Sequence, residues 1–140
     1  MADLKPLIRL HKHELDEKRR VLGELYAALA ALERQRRELE ESFAREKAAV
    51  EADGDVHFTF AQYADSVRAQ KAALEQKEAD LAVQIEIAKE SLMETFSELK
   101  KYEMTQAERE RLEEEERRFK EDQQMDAIGI EGFRRRKDEE

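Results

Sequence analysis

Two long stretches of heptad-spaced apolar residues, at about residues 4–52 and 60–126, are separated by one short break in the pattern. The break reads Asp53-Gly54-Asp55-Val56-His57, and a Gly between two Asp residues is typical of a helix stop followed by a turn. Both apolar stripes can leave water only if the chain reverses there and the two stretches pair. The sequence therefore predicts an all-α fold, a long antiparallel two-helix coiled-coil hairpin with its tip at about residues 53–59.

The first stretch carries two interleaved series of positions spaced seven residues apart. The series are Ile8, Leu15, Leu22, Leu29, Arg36, Phe43, Val50 and Leu4, His11, Lys18, Leu25, Leu32, Leu39, Glu46. Apolar residues dominate over about seven heptads, where three or four already indicate a coiled coil. We interpret the exceptions as polar residues that set the register of the pairing: His11, Lys18, Arg36 and Glu46.

The first helix is expected to begin near Leu4, because Pro6 suits a first helical turn and Asp3 can cap it. Gly23 lies in mid-helix, where a Gly costs about 1 kcal/mol relative to Ala. It indicates either the close approach of another backbone or a tolerated weak point in the helix. The sequence leaves both interpretations open.

The second stretch repeats the pattern of the first. Its series are Phe60, Val67, Leu74, Leu81, Ala88, Thr95, Tyr102 and Ala64, Lys71, Glu78, Ile85, Leu92, Leu99, Gln106. Because both helices rise by ~1.5 Å per residue, antiparallel pairing places Val50 near residue 62 and Leu4 near residue 108. The second helix therefore overhangs the first beyond about residue 108, within a single elongated domain that spans residues 1–140.

The overhang allows two interpretations. Ion pairs at i,i+4, such as Glu113 with Arg117, can support a lone solvated helix. Alternatively, another protein covers a thin apolar stripe of the overhang. The stripe consists of Leu112, Phe119 and Met125, and the contact residues would be Leu112, Phe119, Ile128, Ile130 and Phe133.

The end of the chain combines glycines with a basic cluster. Gly129 and Gly132 weaken the helix, so we expect helix two to end near residue 126 and residues 127–140 to form a tail prone to fraying. The sequence Arg134-Arg135-Arg136-Lys137 is basic in an otherwise acidic protein. We expect this tail to become ordered when a partner binds.

Aromatic residues concentrate around the tip. Thr59 is placed to cap helix two, and Phe58 is placed to pack back onto Gln62 or Tyr63. A two-helix tip can bury few aromatic side chains, so a docking surface competes with simple packing of the hairpin core. The candidate docking residues are Phe58, Phe60, Tyr63 and Val67.

Composition excludes several classes of partner and location. The net charge is −9 at pH 7, and Lys and Arg are spread along the whole chain, so a nucleic-acid partner is not expected. The chain contains no Cys, which is compatible with a reducing compartment. It has no secretory signal and no run of ~20 apolar residues, so we expect a soluble, cytosolic protein.

Catalytic, metal and cofactor sites are not expected. His13 and Glu17 share a helix face, but only two ligands converge there, and a solvated face explains them better than a metal site. A two-helix rod has no cleft in which the pKa of a carboxylate could be shifted for general acid catalysis. We predict no enzymatic activity and look for function in binding surfaces.

Three segments carry a resemblance to a known family: Phe60-Ala61-Gln62-Tyr63, Lys100-Lys101-Tyr102-Glu103 and Asp126-Ala127-Ile128-Gly129-Ile130. In their order and spacing the chain resembles the FliJ family of flagellar export proteins, which belongs with the stalk proteins of type III secretion systems. The resemblance implies a cytoplasmic coiled coil that binds a hexameric export ATPase and the cytoplasmic domain of the membrane export gate. It also implies a link to export chaperones, and contact with the membrane only through protein partners.

A second hypothesis needs no family resemblance. A generic coiled-coil scaffold could pair two hairpins into a homodimeric four-helix bundle. The unequal lengths of the two stretches favour the stalk, because they give the hairpin two different ends.

Overall fold

The computed structural model of the protein describes residues 3–53 and 57–139, and it contains two α-helices and no strand within them. Helix α1 runs from Lys5 to Asp53 and helix α2 from His57 to Asp138. The helices run antiparallel and pack against each other, which confirms the predicted all-α hairpin. Asp3 precedes α1 and its Oδ1 accepts a hydrogen bond of 3.0 Å from the Lys5 amide, as expected of a cap.

The helix pair divides into two compact units. The larger unit comprises His13–Phe96, and its most buried side chains all lie at predicted seam positions: Leu15, Ala64, Val67, Ile85 and Thr95. The smaller unit combines the chain up to Lys12 with the chain from Ser97 onward. His11 and Leu99 are its most buried side chains.

The register agrees with the predicted one. In the smaller unit, the backbone N–H of Leu4 donates to Oε1 of Gln106 at 3.0 Å, and Lys5 forms an ion pair of 3.9 Å with Glu110. In the larger unit, Arg36 meets Glu78. Helix α2 continues to Asp138, so the overhang is present; we call residues 111–138 the C-terminal extension.

The start of α2 differs from the prediction. Thr59 lies within the helix rather than capping it, because α2 already begins at His57. Phe58 is 78 % exposed, so it does not pack back onto the helix as a staple. Packing of Phe60 and Tyr63 holds the first turn helical, and such packing overrides a local capping preference. The rest of the predicted turn, residues 54–56, lies outside the described residues.

The end of α2 also differs, since the helix continues twelve residues beyond the predicted end at residue 126. Gly129 and Gly132 each cost only about 1 kcal/mol in a helix, which weakens it without forbidding it. The last turn contains Arg135, Arg136 and Lys137, whose positive charges complement the helix dipole.

Gly23 is a tolerated weak point. A Cβ built at this position would have no atom within 4 Å, so no other backbone approaches closely. The structure therefore decides between the two interpretations that the sequence left open.

Candidate protein-binding surfaces

Polar residues in the seam of the larger unit find partners across it. The guanidinium Nε of Arg36 donates to both carboxylate oxygens of Glu78, at 3.0 and 3.2 Å. Glu40 receives both Arg36, at 3.2 Å, and Lys71, at 3.3 Å. These four charged side chains contact one another across the two helices, so they favour one register of the pairing. Each already has an ion-pair partner within the hairpin.

The charges of this network alter the pKa values of its members. Hydrogen bonding to Lys71, reinforced by Arg36, holds the pKa of the Glu40 carboxyl below its ordinary value, against the opposing effect of burial. Hydrogen bonding to Glu78, and then to Glu40, raises the pKa of Arg36. Both shifts favour the charged forms that make the network.

Two further polar seam residues are also satisfied internally. The Lys18 ammonium donates to the buried Thr95 hydroxyl and, at 3.2 Å, to the Ser91 carbonyl. In the smaller unit, Nδ1 of His11 donates to the Leu7 carbonyl at 2.9 Å. The same ring lies against Tyr102, with a centroid separation of 4.9 Å. The predicted register-setting role fits both Lys18 and His11. It does not fit Glu46, which is exposed.

The aromatic residues near the start of α2 divide into two groups. Phe60 stacks on Phe43 with ring centroids 5.7 Å apart, and Tyr63 lies 6.3 Å from both rings. Val67 is only 6 % exposed and lies in the seam, so a partner cannot reach it while the helices are paired. Of the four predicted docking residues only Phe58 is largely exposed, so the docking hypothesis at this end of α2 narrows to that side chain.

The C-terminal extension exposes most of its large apolar side chains. The exposed fraction is 45 % for Leu112, 63 % for Phe119, 65 % for Ile128, 59 % for Ile130 and 68 % for Phe133. A partner that covered these side chains would remove a substantial apolar area from water. All the predicted contact residues of the overhang are therefore accessible.

These exposed side chains do not all share one face of the helix. Since successive helical residues are rotated by ~100°, Phe119, Ile130 and Phe133 lie within ~60° of Leu112 around α2. Met125 and Ile128 are rotated from Leu112 by ~140° and ~160°. The predicted stripe of Leu112, Phe119 and Met125 is thus wrong in its last member, because six residues do not return to the same face.

The apolar stripe of the extension is also separate from the hairpin seam. Gln106, which accepts the hydrogen bond from the Leu4 amide just before α1, is rotated by ~120° from Leu112. The next position of the same seam series is Glu113, which is charged and exposed. A partner of the stripe would therefore approach α2 from a side that α1 does not occupy.

Ion pairs within the extension support it as a solvated helix. Arg111 bridges Glu108 and Glu115, each at 2.6 Å, and Arg117 meets Glu114 at 2.6 Å. Hydrogen bonding to these arginines lowers the pKa of Glu108 and of Glu114. The predicted pair of Glu113 with Arg117 is not among the ion pairs of the described residues, because Arg117 bonds Glu114 instead. Other intrahelical pairs are present, although exposed pairs of this kind contribute little individually.

The described residues offer no evident chemical site. A groove of about 540 Å³ between the helices is lined in part by Glu38, Gln70, Ala73 and Lys77, all of them exposed. No group of three or more His, Cys, Asp or Glu side chains in the described part of the chain could hold a metal ion. Neither helix is both long and apolar enough to cross a membrane, as far as residues 3–53 and 57–139 are concerned.

Sequence reasoning identified the basic cluster at residues 134–137 but missed that some of its residues, and some acidic residues, share the face of the apolar stripe. Glu115 and Glu116 lie beside its N-terminal half, and Arg134 and Lys137 beside its C-terminal half, all within ~60° of Leu112. A count of heptads restarted at Leu112, instead of continued from Gln106, would have found them.

No protein-family model, curated protein or solved structure matches the chain.

Proposed function

We propose that this protein is a cytoplasmic stalk-like component of a flagellar, type III protein export apparatus. It binds a hexameric export ATPase through the C-terminal extension and links that ATPase to the cytoplasmic domain of the export gate. Export chaperones are further partners, and the protein reaches the membrane only through other proteins.

The observation that carries this proposal is the unpaired end of α2 with its exposed apolar stripe. Phe119 and Phe133 are each more than 60 % exposed on a segment that α1 does not cover. Aromatic side chains of this kind are common anchors of protein interfaces. The resemblance of residues 100–103 and 126–130 to FliJ proteins suggests the partner, since the family's stalk engages an export ATPase.

The exposed Phe58 near the start of α2 supports a second contact, with the gate. It lies outside the Phe43, Phe60 and Tyr63 cluster, so it is free to insert into a partner. The two contacts then use separate segments of α2, one at Phe58 and one within residues 111–138.

The protein would act on ATP hydrolysis through its partner. A stalk that binds one conformation of the ATPase ring better than the others shifts the population of ring states, without any chemistry of its own. The size of that population shift is set by the difference between the stalk's affinities for the ring states.

A binding assay with the purified ATPase ring tests the proposal. Leu112→Ala with Phe119→Ala should weaken binding at least about tenfold, because buried anchor residues dominate interface energies. Met125→Ala with Ile128→Ala is the matched control, since it removes a similar apolar area from other faces of the same helix. Equal binding by both double variants and the wild type would contradict a contact through the stripe.

The contact with the gate is tested separately. Phe58→Ala should reduce binding to the gate's cytoplasmic domain while leaving helicity unchanged, because the Phe58 side chain is 78 % exposed. Phe60→Ala should instead lower thermal stability, since it removes the stacking with Phe43. Unchanged gate binding by the Phe58 variant would refute this contact.

A further inference from the structure

A second heptad pattern runs along the C-terminal extension. Its positions alternate in steps of four and three: Leu112, Glu116, Phe119, Gln123, Asp126, Ile130, Phe133 and Lys137. All lie within ~60° of Leu112 around α2, so they form one stripe. Alternating steps of four and three are the spacing by which one helix packs along another.

The stripe is complementary to itself at three of five facing positions when it is reversed. When the same stripe of a second copy lies antiparallel to the first, with the centre of the pairing between Gln124 and Met125, residues from opposite halves of the stripe face each other. The facing pairs are Leu112 with Lys137, Glu115 with Arg134, Glu116 with Phe133, Phe119 with Ile130 and Gln123 with Asp126. Each pair occurs twice, once on either side of the centre, as a two-fold axis requires.

We propose that two copies of this chain pair through their C-terminal extensions as an antiparallel helix pair. Phe119 of each copy packs against Ile130 of the other, and the acidic run 113–116 lies opposite the basic run 134–137. At the centre the Gln123 amide donates to the Asp126 carboxylate of the other copy. Such a central polar layer, in a coiled coil, selects register and orientation at some cost in stability.

Charge identifies the second copy as the occupant. Within one chain only Arg135 of the basic run has an acidic partner among the described residues, Glu131 at 3.3 Å. The acidic run lies at the other end of the same stripe, where Glu115 and Glu116 already form exposed intrahelical pairs with Arg111 and Lys120. Only antiparallel helices bring the basic run of one copy to this run, where it adds to those weak pairs. A parallel pair would set acidic against acidic and basic against basic, which is destabilising.

The two glycines of the extension do not interrupt this surface. Gly129 and Gly132 are rotated by ~100° and ~160° from Leu112, so the stripe loses no side chain to them. The closed antiparallel pair uses the whole stripe of each copy once. It therefore ends at a dimer instead of growing into a filament.

Sedimentation of the full chain with charge-reversal variants tests the pairing. The wild type should approach twice its mass of 16.5 kDa as concentration rises, and less so at about 500 mM than at about 50 mM salt. Glu115→Lys with Glu116→Lys, or Arg134→Glu with Lys137→Glu, should each raise the dimer Kd at least about tenfold. A one-to-one mixture of the two double variants should restore pairing, because each reversed run then meets a reversed partner.

Cysteine crosslinking tests the register, and the absence of native Cys makes it specific. A mixture of Gln123→Cys and Asp126→Cys chains should form a disulfide between the two variants under mild oxidation, identified by its mass. Arg118→Cys mixed with Glu131→Cys is the matched control. Those positions are equally spaced about the centre but lie off the stripe, and they should crosslink poorly.

Three outcomes would overturn the proposal. They are a chain that stays at monomer mass at every concentration and salt, a dimer that neither charge reversal weakens, and crosslinking as efficient in the control as at Gln123 and Asp126. A dimer insensitive to charge reversal would indicate the four-helix bundle instead. None of these experiments contains the ATPase, so failure here leaves the proposed stalk function standing.

Discussion

Ile85 and Ile87 are the same residue type two positions apart on α2, yet they differ in exposure. Ile85 is 4 % exposed in the seam, and Ile87 is 62 % exposed on the outer face. Ile85→Ala should therefore lower the free energy of unfolding by about 2–4 kcal/mol, whereas Ile87→Ala should change it by less than about 0.5 kcal/mol. Urea unfolding followed by circular dichroism measures both, and equal effects would argue against this seam.

The carboxylate of Glu40 links stability to pH. Its pKa is lowered in the folded protein by Lys71, so its contribution is complete above its ordinary pKa and is lost as pH falls through the lowered value. Glu40→Gln should lower the melting temperature at pH 7, and its difference from the wild type should close as pH falls below 4.5.

The neighbouring Glu41 supplies the control for that measurement. It is exposed and has no ion pair among the described residues. Glu41→Gln should therefore have the melting temperature of the wild type both at pH 7 and below pH 4.5. A pH-independent difference for Glu40→Gln would mean that the carboxylate's charge does not stabilise the pairing.

At the level of the helices, heptad periodicity predicts the residues of the seam, but it does not predict where α2 ends or which face its unpaired part exposes. Heptad spacing predicts Lys18 and Arg36 as polar seam residues, and their partners Thr95 and Glu78 follow from the register. The end of α2 was misplaced because two glycines cost less than the surrounding helix gains. The stripe face was misjudged at Met125 because the seam's phase does not continue past Gln106.

Glycine substitutions separate the paired and unpaired parts of the helices. Gly23→Ala and Gly129→Ala each place a Cβ in open space, so each should stabilise its helix by about 0.5–1 kcal/mol. Gly23→Ala should raise the melting temperature of the hairpin, since α1 is paired there. Gly129→Ala should raise helicity without that shift, as read by circular dichroism. A lower melting temperature for Gly23→Ala would indicate a close contact at that site.

For the molecule as a whole, the same apolar stripe serves two proposals. A second copy and an export ATPase would both cover Phe119 and Ile130, so their binding is mutually exclusive at this surface. Self-pairing would then lower the apparent affinity for the ring by the fraction of extensions already paired. The ATPase, in turn, would dissociate the dimer, because linkage between the two equilibria is reciprocal.

Hydrogen exchange measured by mass spectrometry distinguishes these states in one experiment. In dilute chain, the amides of residues 111–138 should exchange faster than those of residues 64–95, because no packing against α1 protects them. Raising the chain concentration should slow exchange in 111–138 if copies pair, and adding the ATPase ring to dilute chain should slow it if the stalk proposal is right. Residues 64–95 serve as the internal reference and should change in neither case. Protection that appears with the ring and is reduced by excess chain would establish the competition, whereas additive protection would require two separate surfaces on the extension.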